Sequence, residues 1–427
     1  MAERLTLADE VHARPPEPLE TPCRATYLAV LVDAEARELE RQHVARLCAR
    51  HDVSPPGPGV AQFSAQLGAV RLKWERHGEF SSFVFIVPGR SPQPFSEPAS
   101  ALLPEGWLEA IPGRTVVAAH AKLIHSDGTV PEPAFLAEHF GANMVVGSSI
   151  GEGAGYAFTD FRIHPDGCSR FLLIDRGFTP RQAGRMMQRL FEIEAYRMLA
   201  LLALPIARRQ SPRILAIEKA LAGLTDGMAR GDGDDEALLH ELTRLAAEVE
   251  SGLAASQFRF GACRAYSELV RTRIVELRED RIPGLQTVEE FMARRFTPAV
   301  ATCNTVSQRL RDLSDRVAQA SALLATRVGI AREKQNQSLL ESMNRRAKLQ
   351  LRLQQTVEGL SVAAIVYYVA GLVGYAAKAA REAGLPVKAE LAVGISLPVI
   401  ALAALWAIRR ARRHISNAEA GEAMHGP

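Results

Sequence analysis

The sequence predicts an α+β protein. A mixed α/β domain covers 1–180, and a long-helix, coiled-coil-like region covers 181–356. A two-helix transmembrane hairpin follows over 357–408, then a basic tail over 409–427. Three observations predict this order. Short β-rich runs punctuated by Pro and Gly stop near Thr179. Helical periodicity continues from there, and no further strand is expected. Near the C-terminus, the segments 359–377 and 391–408 hold no charged residue.

Within the first region, the β-rich runs are 25–32, 80–87, 115–124 and 171–174, and the charged, periodic run 34–51 reads as a surface helix. Pro-rich stretches at 54–58 and 89–98 are loops. Pro180 opens a helix over 181–204. Helices over 211–229 and 235–252 are joined by a polar Gly-Asp-Gly-Asp-Asp turn from Gly231, and another helix runs over 260–279. After Pro298, Val306, Leu310, Leu313, Val317, Ala320, Leu324 and Val328 keep a three-four spacing. Such a seam needs a partner helix. Gly329 is expected to bend the chain before a stalk that runs into the first span.

At the helical rise the two uncharged segments reach about 28 Å and about 27 Å, enough to cross a hydrocarbon core of about 30 Å. Arg345, Arg346, Lys348 and Arg352 precede the first, and Arg409, Arg410, Arg412 and Arg413 follow the second. The linker carries Lys378, Arg381 and Lys388. Basic flanks favour the cytoplasm, so both termini are expected there, in a multi-pass protein of a bacterial inner membrane. A buried hairpin inside a soluble core is the competing reading, and Pro398 would interrupt such a helix in water.

The first span carries two stripes. Gly359, Ala363, Ala370, Gly374 and Ala377 form a smooth face for close helix approach. Ser361, Tyr368 and Tyr375 recur every seven residues on roughly the opposite side. A phenol facing lipid is costly, so this polar stripe is expected at an interhelical hydrogen bond, or lining a pore in an oligomer.

Composition bounds the function. The chain has 427 residues, 23% charged and 47% hydrophobic, which is globular rather than disordered. A net charge of +3 leaves no nucleic-acid footprint, and no nucleic-acid partner is expected. Cys23, Cys48, Cys168, Cys263 and Cys303 are scattered without a C-x-x-C pair, which fits a reducing compartment. Residues 1–10 have no apolar core, so no secretory signal is expected.

Few residues suggest chemistry. The octapeptide 73–80 (Lys-Trp-Glu-Arg-His-Gly-Glu-Phe) is the densest in functional groups. If it is a strand, Glu75, His77 and Glu79 share one face and form a candidate ligand or acid–base cluster. The alternative is a charged strand edge with Trp74 and Phe80 packed inward. The glycine-dense run 147–155 lacks dinucleotide-fingerprint spacing and reads as a turn between strands. Glu194 and Arg197 are spaced to pair on a helix. His12 and Arg14, in a Pro-extended segment, face a ligand or anchor the N-terminal arm. No G-x-S-x-G, H-E-x-x-H, Walker or kinase motif is present. Neither an enzyme nor a cofactor is expected.

Several runs resemble one bacterial family, domain of unknown function 3422, described as predicted membrane-anchored proteins. They are 10–17 (Glu-Val-His-Ala-Arg-Pro-Pro-Glu), 73–80, 159–162 (Thr-Asp-Phe-Arg), 188–198 (Gln-Arg-Leu-Phe-Glu-Ile-Glu-Ala-Tyr-Arg-Met) and 354–362 (Gln-Gln-Thr-Val-Glu-Gly-Leu-Ser-Val). The resemblance implies a membrane anchor and a bacterial source, and brings no activity. The architecture is similar, more loosely, to CorA-type magnesium transporters, but the Gly-Met-Asn motif after their first span is missing here. The expected function is therefore a membrane-anchored cytosolic binding or scaffold module, with an oligomeric ion channel as the alternative. The expected partners are the lipid bilayer and further copies of this chain, met through the stalk and the spans.

Overall fold

A computed structural model describes Arg4 and residues 15–91, 94–126, 129–231, 234–382 and 388–422, with the side chains of 389, 392, 408, 409 and 411–422 left aside. His12, Arg14, the linker residues 383–387 and the side chains of Arg409, Arg412 and Arg413 lie outside the described residues. The chain divides into two compact units, Met1–Leu324 and Ala325–Pro427.

The first unit is organised by a nine-stranded sheet in the order β2-β3-β4-β1-β5-β8-β7-β6-β9. Its strands are β1 Cys23–Leu31, β2 Gln62–Leu67, β3 Val70–Arg76, β4 Phe80–Pro88, β5 Arg114–His125, β6 Val146–Ile150, β7 Gly155–Thr159, β8 Ser169–Asp175 and β9 Asp280–Arg281. Neighbours are antiparallel except β5 and β8. That parallel pair needs a crossover, supplied by α2 (Pro133–Phe140) and the β6–β7 hairpin. The run 147–155 makes that hairpin. Ile150 pairs with Gly155, and Gly151, Glu152 and Gly153 between them all take positive φ.

Strand alternation sorts the sheet into two faces. On one, Leu28, Val30, Leu72, Trp74, Phe83 and Phe85 pack with Val44 and Leu47 of α1 (Arg37–Ala49) and with Trp107 and Ile111. A second cluster on this face joins Leu172 and Ile174 to Leu136 and Phe140 of α2. The opposite face receives α3 (Pro180–Leu201), opened by a capping box between Thr179 and Gln182. There Phe191 stacks on Tyr27 with ring centroids 4.7 Å apart.

The expected strands are present, and among the described residues five more occur. β2 and β3 form a tight hairpin around Gly68, β6 and β7 form the glycine-rich one, and strand structure does return after residue 180. β9 arrives 100 residues later and pairs with Ser148 and Ser149 of β6. Glu279 fixes that junction. It accepts from Ser148 Oγ at 2.6 Å and from the backbone amides of Val288 and Glu289, at the start of α6 (Val288–Arg295).

α4 (Leu204–Arg230) and α5 (Asp235–Leu277) follow α3. The two helices expected over 235–252 and 260–279 are one, because Gly252 does not break α5. It lies where the side chains of Gln210 and Leu310 approach the backbone closely. The long helix is α7, Thr297–Glu382, and it passes through Gly329 without interruption. Its seam is buried from Val306 to Leu324. The partner it needed lies within the chain, since Arg309 pairs with Glu218 of α4 at 2.7 Å and Ser314 donates to Glu250 of α5.

In the second unit, the remainder of α7 and α8 (Ala389–Glu422) are helical, with Pro398 inside α8. Among the described residues, one helical run, Val288–Glu382, is long and apolar enough to cross a membrane by length and composition. Two such segments were expected. The apolar part of α8, Val393–Ala407, is the shorter of the two. The small-residue stripe approaches α8 at Gly374, where a Cβ would sit 3.3 Å from Val393; Ala370 and Ala377 are buried, whereas Gly359 and Ala363 are exposed. Ser361, Tyr368 and Tyr375 are exposed, and Ser361 Oγ donates to its own helix at Val357 O.

Candidate functional site

The residues singled out in 73–80 fall at the β3–β4 turn. β3 ends at Arg76, so His77 and Glu79 are turn residues and the three do not form one strand face. Alternation sends Lys73 and Glu75 to the α3 face and Trp74 to the apolar core opposite. Phe80 opens β4, with its ring stacked on His77 at 4.2 Å.

Glu75 and His77 do come together, around a residue the sequence reading had passed over. Ser82 Oγ donates to Glu75 at 3.5 Å and lies 3.3 Å from His77 Nε2. Glu79 turns away to α5, where Arg259 holds both its oxygens, one at 3.1 Å. Glu75 instead pairs with Lys73 at 3.0 Å, both side chains less than a tenth exposed.

This pair borders a cavity of about 40 Å³ between the sheet and α3, space for roughly three water molecules. Tyr27, Lys73, Glu75, His77, Gln188 and Glu192 are among the residues around it. Gln188 accepts from Lys73 at 3.3 Å and donates to Glu192 at 2.7 Å. Glu192 in turn pairs with Arg273 of α5. Burial above all pushes the Tyr27 phenol well up, so it stays a neutral donor.

The segment before β1 walls one side of the cavity. Pro15 O accepts from Lys73 Nζ at 2.8 Å, Glu17 accepts from Ser64 and Arg71, and Leu19 N donates to Pro180 O. Gly184 of α3 makes this possible, because a Cβ there would come within 1.8 Å of Glu17 O. The strap lies on bare helix backbone.

The arrangement is a buried polar network that welds strap, sheet and α3 together. Among the described residues, no group of three or more His, Cys, Asp or Glu is placed to hold a metal. Glu194 and Arg197 pair as their spacing predicts, at 2.7 Å, and Glu194 also accepts from Ser169. The Arg197 guanidinium lies over Phe161 at 5.3 Å. The runs 73–80, 159–162 and 188–198, distant in sequence, are thus joined through α3, and Pro15 and Glu17 of the first run reach the same network.

With this geometry in view the chain can be placed. It belongs to the family described as "Protein of unknown function (DUF3422)", whose model matches residues 1–415. No curated protein and no solved structure matches the chain.

Proposed function

We propose that this chain is a membrane-anchored binding or scaffold module, held in a bacterial inner membrane by a hairpin of the end of α7 and the apolar part of α8. The observation that carries the reading is an apolar helix left uncovered. The most apolar window of Val288–Glu382 has a mean hydropathy of 1.8, yet only 11% of it is buried. A core helix of a soluble protein would be mostly covered. An aqueous surface does not tolerate an apolar stretch of this length, whereas a bilayer does.

The approach of Val393 of α8 to Gly374 supports two spans rather than one. With basic residues before and after the hairpin, both termini face the cytoplasm. No catalytic role is part of this reading. Deleting residues 357–427 and fractionating cells tests it: the shortened chain is expected in the soluble fraction. Continued sedimentation with membranes overturns the anchor.

A homo-oligomer is favoured by a second observation. Tyr368 and Tyr375 are 70% and 74% exposed, turned away from the face that meets α8. In lipid those hydroxyls need partners, and neighbouring copies would supply them. An ion path between copies is the channel form of this reading. Ion flux in liposomes that changes with Tyr368→Ala supports it, and a monomer in detergent rules it out.

A further inference from the structure

The sheet face that carries the two apolar clusters also carries a charged gap between them. β1 and β5 are antiparallel, with Arg24 opposite Lys122 and Thr26 opposite His120. By alternation these residues share the face that Leu28 and Val30 give to the first cluster. Beyond Lys122 on the same face, Ile124 packs against the second cluster under α2. Where the clusters part lies a cavity of about 310 Å³, lined by Arg24, Arg90, Lys122, His125, Glu138 and His139 among others.

Two features of this gap are unusual for a cavity with only a structural role. Like charges placed directly across a ladder repel, and here an arginine faces a lysine that is only 8% exposed. The Arg24 Nε is buried with no hydrogen-bond partner, although a guanidinium offers donors in a fixed fork. Burial first, and then the nearby Arg24, lower the Lys122 pKa from its ordinary value. Burial likewise lowers that of His139. The nearby carboxylates, Glu97 and Glu138, are both exposed, and Lys122 Nζ donates to Ser91 O at 3.5 Å.

An anion seated in the cavity between Arg24 and Lys122 separates the like charges and offers an acceptor to the guanidinium end of Arg24. We propose that this cavity binds an oxyanion group, phosphate or carboxylate, of a small solute, with Arg24 as the forked donor and Lys122 as the second cation. Arginine matches planar and tetrahedral oxyanions through paired N–H donors, while lysine contributes a point charge. The volume is at the lower end of small-molecule sites, which suits a compact solute. The site lies on the opposite face of the sheet from the Lys73–Glu75 network, and it does not depend on the membrane anchor.

The test uses the purified full-length chain. Its thermal unfolding midpoint is measured with inorganic phosphate, with succinate, and with soluble dioctanoyl phosphatidate, each against chloride at matched ionic strength. A midpoint that rises and saturates with phosphate or succinate supports a small-solute site. A response to the phosphatidate alone overturns the small-solute assignment and moves the same oxyanion chemistry to a lipid headgroup. Arg24→Gln is expected to weaken the apparent affinity roughly tenfold or more, with Arg24→Lys intermediate. Should Arg24→Gln fail to fold, Lys122→Met is read in its place. No shift over chloride with any probe, or equal shifts in wild type and variant, overturns the proposal.

Discussion

Lys73 and Glu75 stand two residues apart on one strand, with Nζ and Oε1 3.0 Å from each other and both side chains almost fully covered by α3. Such a pair offsets its own desolvation only while both members are present. Glu75→Gln leaves the Lys73 ammonium short of its counter-charge. It is expected to cost about 3–5 kcal/mol in urea unfolding. The double replacement Lys73→Met with Glu75→Leu is expected to cost far less than the sum. A double variant as damaged as the two singles added together would remove the coupling from this account.

The strap over the cavity depends on a missing side chain. Gly184→Ala places a methyl 1.8 Å from the Glu17 carbonyl, and neither backbone is a flexible end that can swing aside. The expected outcome is a loss of about 1–3 kcal/mol, typical of overpacking. Proteolysis should also become faster in the segment before β1. A variant with unchanged stability and cleavage shows that the strap does not rest on α3.

Parts of this molecule are legible in the sequence and parts are not, for identifiable reasons. β1, β4, β5 and β8 announce themselves through runs of Val, Ile, Leu and Phe, because those strands are buried on both faces. β2, Gln-Phe-Ser-Ala-Gln-Leu, sits at the sheet edge and is polar at alternate positions, so composition hides it. β9 is two residues whose strand character comes from pairing with Ser148 and Ser149, a tertiary fact. The meeting of Glu75 and His77 at Ser82 depends on the turn after β3 rather than on a shared strand face, and Pro15 O and Gln188 reach Lys73 only through the fold. The run of cations at Arg24 and Lys122 is invisible in the sequence, because nothing local states that β1 and β5 are neighbours.

Glu40 provides a pH signature. Its carboxyl is buried on α1, where Oε1 accepts from Trp74 Nε1 at 3.1 Å, and burial raises its pKa above the ordinary value of 4.5. The folded state therefore holds its proton more tightly than the unfolded chain does. Glu40 costs nothing below pH 4.5, and its penalty grows as pH rises through the raised folded value. Glu40→Gln keeps the acceptor and removes the charge. It is expected to flatten the fall in stability over that window in denaturation curves at stepped pH. An unchanged pH slope would show that Glu40 ionises freely in the fold.

The long helix α7 offers a test of which part of its length is covered. Leu313, in the buried seam against α4 and α5, is 1% exposed, whereas Leu340 is 65% exposed. Leu313→Ala opens a cavity and is expected to cost about 2–5 kcal/mol at any protein concentration. Leu340→Ala is expected to stay within about 0.5 kcal/mol in the dissociated protein, as exposed substitutions do. In the proposed oligomer, Leu340 and its neighbours Leu339 and Met343 offer the apolar surface through which copies associate. Sedimentation of Leu340→Ala should then give a lower mass than wild type at equal concentration, because assembly is linked to concentration by mass action. An identical mass distribution in the two proteins would exclude this stretch of α7 from the contact and leave the spans to hold the copies together.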